Sequence, residues 1–302
     1  MSSTQSKNLF FNYHERSTYL SASGSASLSD SGKNCGIVSG SNLTGYLDLN
    51  SAAKNTLFPN SGALTTRVKV AFWHYSNISN ASNYTHLDID GATRATASSS
   101  TAKAVSYDAN INISKDSQFR ITLHTKSRGL FESTSWVAIG GDEGIDITLY
   151  FTRYDFSAST STGIASASVS STTGYDGDTI TFTASLQSGY TFDGWYSGST
   201  KVSSSQTYVH TVAGADMALT AKAIASTKTV TTKYGNTTIA TEQRMPPVAV
   251  SYGSTQIVSV SSGQTKTLNC LNNLMSSNLT VGGKTLLCAN QIMNGNIIVS
   301  VS

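Results

Sequence analysis

His86, Asp88 and Asp90 occupy alternating positions in His86-Leu87-Asp88-Ile89-Asp90. On an extended strand these three side chains share one face. Such a row could hold a metal ion or move a proton, but it equally fits an exposed polar face beside the Asp90-Gly91 turn, and that is the reading taken. Asp88-Ile89-Asp90-Gly91 lacks the later oxygen ligands and closing glutamate of a calcium loop. Asp142 and Glu143 lie in the glycine loop Gly140–Gly144. Paired catalytic carboxylates must face one cleft a few ångströms apart. Sequence neighbours in a loop diverge, so a plain hairpin turn is expected there. The five histidines, His14, His74, His86, His124 and His210, fall in no HExxH or H-x₃₋₅-H spacing. Cys35, Cys270 and Cys288 are too few for a disulfide framework and show no CxxC spacing. They read as free, buried thiols. No G-x-S-x-G elbow, P-loop or dinucleotide fingerprint is present. No catalytic residue, cofactor or metal is therefore assigned. Glu132, Glu143 and the Asp88/Asp90 pair are the carboxylates that a hydrolase reading would have to use.

Aromatic residues offer a different chemistry. Flat tyrosine and tryptophan rings stack on the C–H face of a sugar while their polar rims hydrogen-bond. Trp73, His74 and Tyr75 end one strand candidate, and Tyr84 closes the polar loop that follows. Tyr196 sits in a second aromatic cluster with Tyr190 and Trp195. Trp73, His74, Tyr75, Tyr84 and Tyr196 are the candidate contacts with a glycan or other surface. Core packing is the expectation for Trp195, and it is equally the expectation weighed against glycan contact for Trp73. Asn77, Asn80 and Asn83 head three glycosylation sequons, which composition alone explains in a chain this rich in Asn, Ser and Thr.

The elements that must position these residues read as β throughout. Period-2 alternation marks strands over residues 45–49, 66–73, 86–90, 109–113, 118–124, 136–139 and 145–151. Residues 51–57 suit a single helical turn. That many strands in about 150 residues predict a sandwich or jelly roll. Charged residues are only 12% of the 302-residue chain and the net charge is +3, with no dense basic cluster. Nucleic-acid binding, which needs a basic stripe, is set aside. So is membrane insertion, because no stretch approaches about 20 apolar residues. Residues 157–164 form a Ser/Thr-rich linker. The predicted order is a β-sandwich or jelly-roll-like domain at 1–156, the linker, then two small β modules at 165–225 and 226–302.

Two segments resemble known families. Gly177-Asp178-Thr179-Ile180-Thr181-Phe182-Thr183-Ala184, Gly189-Tyr190-Thr191-Phe192-Asp193-Gly194-Trp195 and Leu219-Thr220-Ala221 together resemble the divergent B-repeat of bacterial internalin-like surface proteins. That resemblance implies a non-catalytic, immunoglobulin-like or β-grasp-like binding or spacer module, with the tryptophan in its own core. Near the end, Lys266–Val281 repeats as Lys284–Val299 at an offset of 18 residues (Cys270 to Cys288, Met275 to Met293). Each copy reads as strand, tight turn and returning strand, with Leu, Cys, Met and Val inward. Two copies alone are marginal, and the preceding Val248–Val260 strands or other subunits are expected to complete them. This repeat is similar to a tail segment of phage and prophage structural proteins of Firmicutes.

These resemblances imply a non-enzymatic virion protein, foremost a tail-fibre or baseplate adhesin. A capsid decoration or head-fibre protein, a bacterial cell-surface adhesin fragment and a carbohydrate-active β-sandwich enzyme are the alternatives. The first residues lack the apolar core of a secretory signal, which favours synthesis in the host cytoplasm and placement on the virion over an extracellular, cell-surface location. Expected partners are other virion proteins, further copies of the chain (a homo-oligomer, possibly a trimer) and a host-surface glycan.

Overall fold

The computed structural model describes residues 2–28, 33–77, 83–98, 102–126, 135–286 and 289–302. It is an all-β, multi-domain chain that divides into two compact units. The first comprises Met1–Phe156, Ser170–Thr181 and Val209–Met217, and the second Ser157–Val169, Phe182–Tyr208 and Ala218–Ser302. Residues 165–225, predicted as one module, thus contribute to both.

The first unit begins with β1 (Ser3–Phe11), a turn of helix α1 (Arg16–Tyr19), β2 (Leu20–Gly24), β3 (Gly36–Ser39) and β4 (Thr44–Leu49). Helix α2 (Ser51–Leu57) follows, where the sequence predicts a helical turn. The Asn50 side chain caps it by accepting from the amides of Ala52 and Ala53, while Ala53 and Leu57 turn inward. The chain continues through β5 (Thr65–Ser76), β6 (Tyr84–Ile89), β7 (Ala92–Ala97), β8 (Lys103–Ala109), β9 (Phe119–His124), β10 (Trp136–Ile139) and β11 (Ile145–Thr160). Most predicted strands are present. The exception is 109–113: only Ala109 belongs to a strand, and the rest runs beside β5 tethered at Thr65, whose hydroxyl donates to the Ile111 carbonyl.

Two sheets result. In one, β5 pairs with β8 on one edge and with both β10 and β11 on the other; β1 and β3 extend it. The other has the order β2-β4-β9-β6-β7. Their inner faces meet in one core that includes Phe11, Val70, Phe72, Ile145 and Ile147 from the first sheet and Leu47, Leu87, Ile89, Ile121 and Leu123 from the second. Each such side chain, fully buried, contributes about 1.5–3 kcal/mol. Strict alternation forces the complementary residues outward, so each sheet also presents a polar and aromatic outer face.

Two sequence expectations need correcting. The loop Gly140–Gly144 is not a hairpin. β10 and β11 run in the same direction along one edge of β5, with Ile139 opposite His74 and Ile145 opposite Phe72. The loop is a bulged interruption between them, turning through a 3₁₀ segment at Gly141–Glu143. Gly140, Gly141 and Gly144 have φ of 88°, 75° and 69°, conformations that suit glycine. Nor is 157–164 a structureless linker. Ser157–Thr160 end β11, and β12 (Ile164–Val169) starts after a short turn. Threonine is a good strand former and serine is at home on a wet face, so composition alone misled.

β13 (Thr173–Gly174) and β14 (Thr179–Leu186) follow. In the second unit, β12 pairs with β14. β15 (Tyr190–Ser197) pairs with both β16 (Thr200–Ser203) and β18 (Met217–Ala225); β17 (Thr207–Thr211) lies between these last two in sequence. The rest of this unit is built from β19 (Lys228–Tyr234), β20 (Thr237–Arg244), β21 (Val248–Tyr252), β22 (Thr255–Val260), β23 (Thr265–Leu268), β24 (Leu274–Met275), β25 (Leu279–Val281), β26 (Lys284–Leu286), β27 (Gln291–Ile292) and β28 (Ile297–Val301). They form two interlocked four-stranded sheets, β20-β19-β28-β23 and β22-β21-β25-β26, with the short β24–β27 pair besides. Cys270, Met275, Met293, Val281 and Val299 are buried, while Leu268 and Leu286 are half-buried.

Candidate ligand-contact face

The five candidate contacts do not converge. His74 is 0% exposed; its Nδ1 lies 2.8 Å from the Thr85 hydroxyl inside the sandwich. It follows Val68, Val70 and Phe72 on the inward face of β5, so it is corrected from surface contact to buried polar residue. Trp73 and Tyr75 alternate with it and point outward from the first sheet, both half-buried. The Tyr75 hydroxyl donates to Glu143 at 2.7 Å. Burial, then that bond, pushes its pKa up. Asp142 turns instead to Lys33 at 3.3 Å, so the two loop carboxylates take different partners. Tyr84 stands on the outer face of the other sheet. Tyr196 belongs to the second unit, where Lys222 lies over its ring at 4.2 Å and its hydroxyl donates to Asp193 at 2.8 Å.

The outer face of β4, β9 and β6 gathers the denser array, in three rows set by register. Thr44 lies opposite His124, and His124 opposite Tyr84. Tyr46, Thr122 and His86 form the second row, and Asp48, Arg120 and Asp88 the third. The Tyr84 ring stacks on His86 at 4.3 Å and on His124 at 4.7 Å between centroids. Thr44 Oγ1 lies 2.8 Å from His124 Nδ1. Arg120 donates twice to Asp48, both bonds 2.8 Å, and its guanidinium lies 4.5 Å from the centre of the Tyr46 ring. A two-pronged bond of this kind fixes the guanidinium plane. Asp88 accepts from Thr93 at 2.6 Å and from Thr122 at 2.7 Å. Asp90 instead accepts from the amide of Gln118 at the turn. Asp88 and Asp90 thus take separate hydrogen-bond donors, while His86 stacks on Tyr84. Among the described residues no group of three or more His, Cys, Asp or Glu could hold a metal ion. Glu132, Asn80 and Cys288 lie outside the described residues.

Sequence reading missed Tyr46, Asp48, Arg120 and His124 as members of one face. Alternation marks each as outward on its own strand, but nothing local says that β4 and β6 flank β9. The sequons also read differently in three dimensions. Asn83 is 0% exposed and its amide donates to Ser76, Ser135 and the Trp136 carbonyl.

The face carries a pH dependence. Burial, and then the charge of His86, holds His124 below the ordinary imidazole value. The unfolded chain takes up that proton near about pH 6.5, so the folded state loses stability as pH falls through and below that range. His210, also lowered by burial, adds in the same direction. Melting temperature is expected to drop between about pH 7.5 and pH 5, and to drop less in His124→Gln. Equal drops in the two proteins would assign the dependence elsewhere.

In the second unit Trp195 is 0% exposed. Phe182 and Phe192 meet it edge-on at 5.6 and 6.0 Å, and its indole N–H donates to the Gln206 carbonyl at 3.3 Å. This aromatic centre, framed by β14 and β15, is where the B-repeat resemblance places it. Residues 157–223 match the family model of the divergent InlB B-repeat domain. The B-repeat match takes in the Ser/Thr-rich strand ends read from sequence as linker. No curated protein matches the chain. Among solved structures, the chain is similar to a family two carbohydrate esterase from Cellvibrio japonicus at 12% identity and a TM-score of 0.25. The similarity takes in 53% of this chain and 39% of that one, and it carries no argument about fold or activity.

Proposed function

We propose that the chain is a non-enzymatic virion structural protein of a bacteriophage, of the tail-fibre or baseplate adhesin type. In this reading the N-terminal sandwich contacts a neutral glycan on the host surface. The observation that carries it is the ordered array on β4, β9 and β6. Aromatic edges at Tyr84, His86 and His124 adjoin an immobilised Arg120–Asp48 pair and the Asp88 carboxylate. Sugars are bound by that combination: rings against C–H faces, fixed polar groups against hydroxyls. The B-repeat match supports a spacer role further along the chain, and the 18-residue repeat supports a phage origin through its resemblance to phage structural proteins.

The test is binding of the fluorescent full chain to a glycan array at neutral pH, beside immunogold labelling of particles with an antibody to residues 1–150. Tyr84→Ala and Arg120→Ala are expected to weaken retention at least tenfold, about 1.4 kcal/mol. Trp73→Ala, on the opposite outer face, is expected to leave it unchanged. Retention indifferent to Tyr84 and Arg120, or particles without label, sinks the proposal. So does substrate turnover abolished by Asp88→Ala or Glu143→Ala.

A further inference from the structure

Two stretches of the B-repeat match, Ser170–Thr181 and Val209–Met217, belong to the first unit. Their contacts there give them a task. β13 pairs with the sandwich strand β11, Gly174 opposite Tyr154 and Thr173 opposite Asp155. The Phe156 amide donates to the Thr172 carbonyl at 2.8 Å. Just beyond β13, Tyr175 packs on the sandwich core, its ring edge-on to Phe151 at 6.2 Å. Phe151 in turn meets Phe58 edge-on at 5.6 Å.

Three aspartates of these stretches hold the contact shut. One oxygen of Asp178 accepts from the Asn60 side-chain amide at 2.6 Å, and the other from the Tyr175 backbone amide at 2.8 Å. Asn60 is itself aimed, because its side-chain oxygen accepts from the amides of Gly62 and Ala63 at 2.8 and 2.6 Å. Asp176 accepts from the Gly214 amide at 2.7 Å, and the Val212 amide donates to the Asp178 carbonyl at 2.8 Å, so the two stretches are tied to each other. Asp216 accepts from the Asp155 amide on β11 and from the Ser2 amide just ahead of β1, both at 3.0 Å. Hydrogen bonds to an ionised acceptor are roughly twice as strong as neutral ones. The backbones also touch. A Cβ on Gly62 would lie 2.6 Å from the Gly177 Cα, and one on Gly177 2.5 Å from the Gly62 Cα. Gly177, with φ of 84°, suits glycine for its conformation alone. Gly62 lies outside the left-handed region, so at that position it is the close approach that calls for glycine.

We infer that Ser170–Thr181 and Val209–Met217 form a clasp, an interaction surface whose partner is the sandwich of the same chain. It covers the sandwich core at Phe151, holds the start of β1 beside β11, and makes the stability of the N-terminal domain depend on B-repeat loops. The B-repeat is then no interchangeable spacer, since its loops complete the domain that precedes it. The inference is independent of what the sandwich binds.

The test uses the full chain, with thermal melts and hydrogen exchange read by mass spectrometry. On a free loop, Gly→Ala at an unstrained position is stabilising, because it narrows the unfolded ensemble. In the clasp the sign reverses: Gly62→Ala is expected to lower the melting temperature of the first unit by at least about 2 °C. Tyr175→Ala is expected to speed exchange at least tenfold at Ser3–Phe11 and at residues 154–156, as well as in the clasp. Asn60→Ala and Asp178→Ala break one shared bond, so the double variant is expected to lose less than the two single shifts added together. Should Gly62→Ala not fold, that cycle and Tyr175→Ala decide. A Gly62→Ala melt at or above wild type overturns the inference. So do additive Asn60 and Asp178 shifts, or faster exchange confined to residues 170–181.

Discussion

Trp195→Ala is expected to destabilise the second unit by about 3–5 kcal/mol, the usual range for removing a large buried aromatic. The indole is wholly enclosed and braced edge-on by Phe182 and Phe192. Its removal leaves a cavity that strands β14 and β15 can close only by shifting their ladders. It also takes one of two donors from the Gln206 carbonyl, which keeps the Ala184 amide. Trp195→Phe, which keeps a ring but loses the N–H donor, should cost much less. Denaturant melts followed by Trp-independent circular dichroism read both. A loss below about 1 kcal/mol for the alanine variant would mean that this ring is not the centre of its module.

Asn83→Ala is expected to cost about 2–4 kcal/mol in the first unit. Its carboxamide is fully buried and donates to Ser76 Oγ at 2.9 Å and Ser135 Oγ at 3.0 Å, while its carbonyl accepts from the Lys126 amide at 2.9 Å. Truncation strands several buried polar groups at once, and each unmet partner carries a desolvation cost of about 1–3 kcal/mol. Asn83→Asp separates geometry from chemistry: it keeps the shape but sets an acceptor against the Trp136 carbonyl and forces a charge inside. Thermal melts of the two variants should both fall well below wild type. The same burial predicts that the folded protein, offered to an oligosaccharyltransferase, takes no glycan at Asn83.

Much of the architecture was legible from spacing. In β11 the residues Ile145, Ile147, Leu149 and Phe151 alternate so cleanly that the inner face could be named in advance, and all four are buried. The α2 turn, the Trp195 core and the inward Met275 and Met293 were equally plain. Weaker patterns hid other strands. β1 has only Leu9 and Phe11 buried among mostly polar residues, so periodicity gives it no voice; its place is decided by nine pairings with β11. The candidate face was legible residue by residue and illegible as a whole. Tyr84 and Trp73 look like neighbours in sequence yet stand on opposite outer faces, because the chain crosses from one sheet to the other between β5 and β6. Tyr46 and Arg120 are separated by most of the domain and touch. Period-2 alternation specifies which side of a sheet a residue takes, whereas strand order is set by long-range pairing that no short window contains.

The interlocking of β19 with β28, and of β21 with β25, has a consequence for synthesis. β28 lies between β19 and β23, so the first four-stranded sheet has a gap at its centre until Ile297–Val301 has been made. A nascent chain stopped after Val281 holds one finished hairpin pair with its neighbour β25 and an orphaned partner. Emergence of Ile297–Val301, rather than early hairpin formation, is then the event that lets this region lock shut.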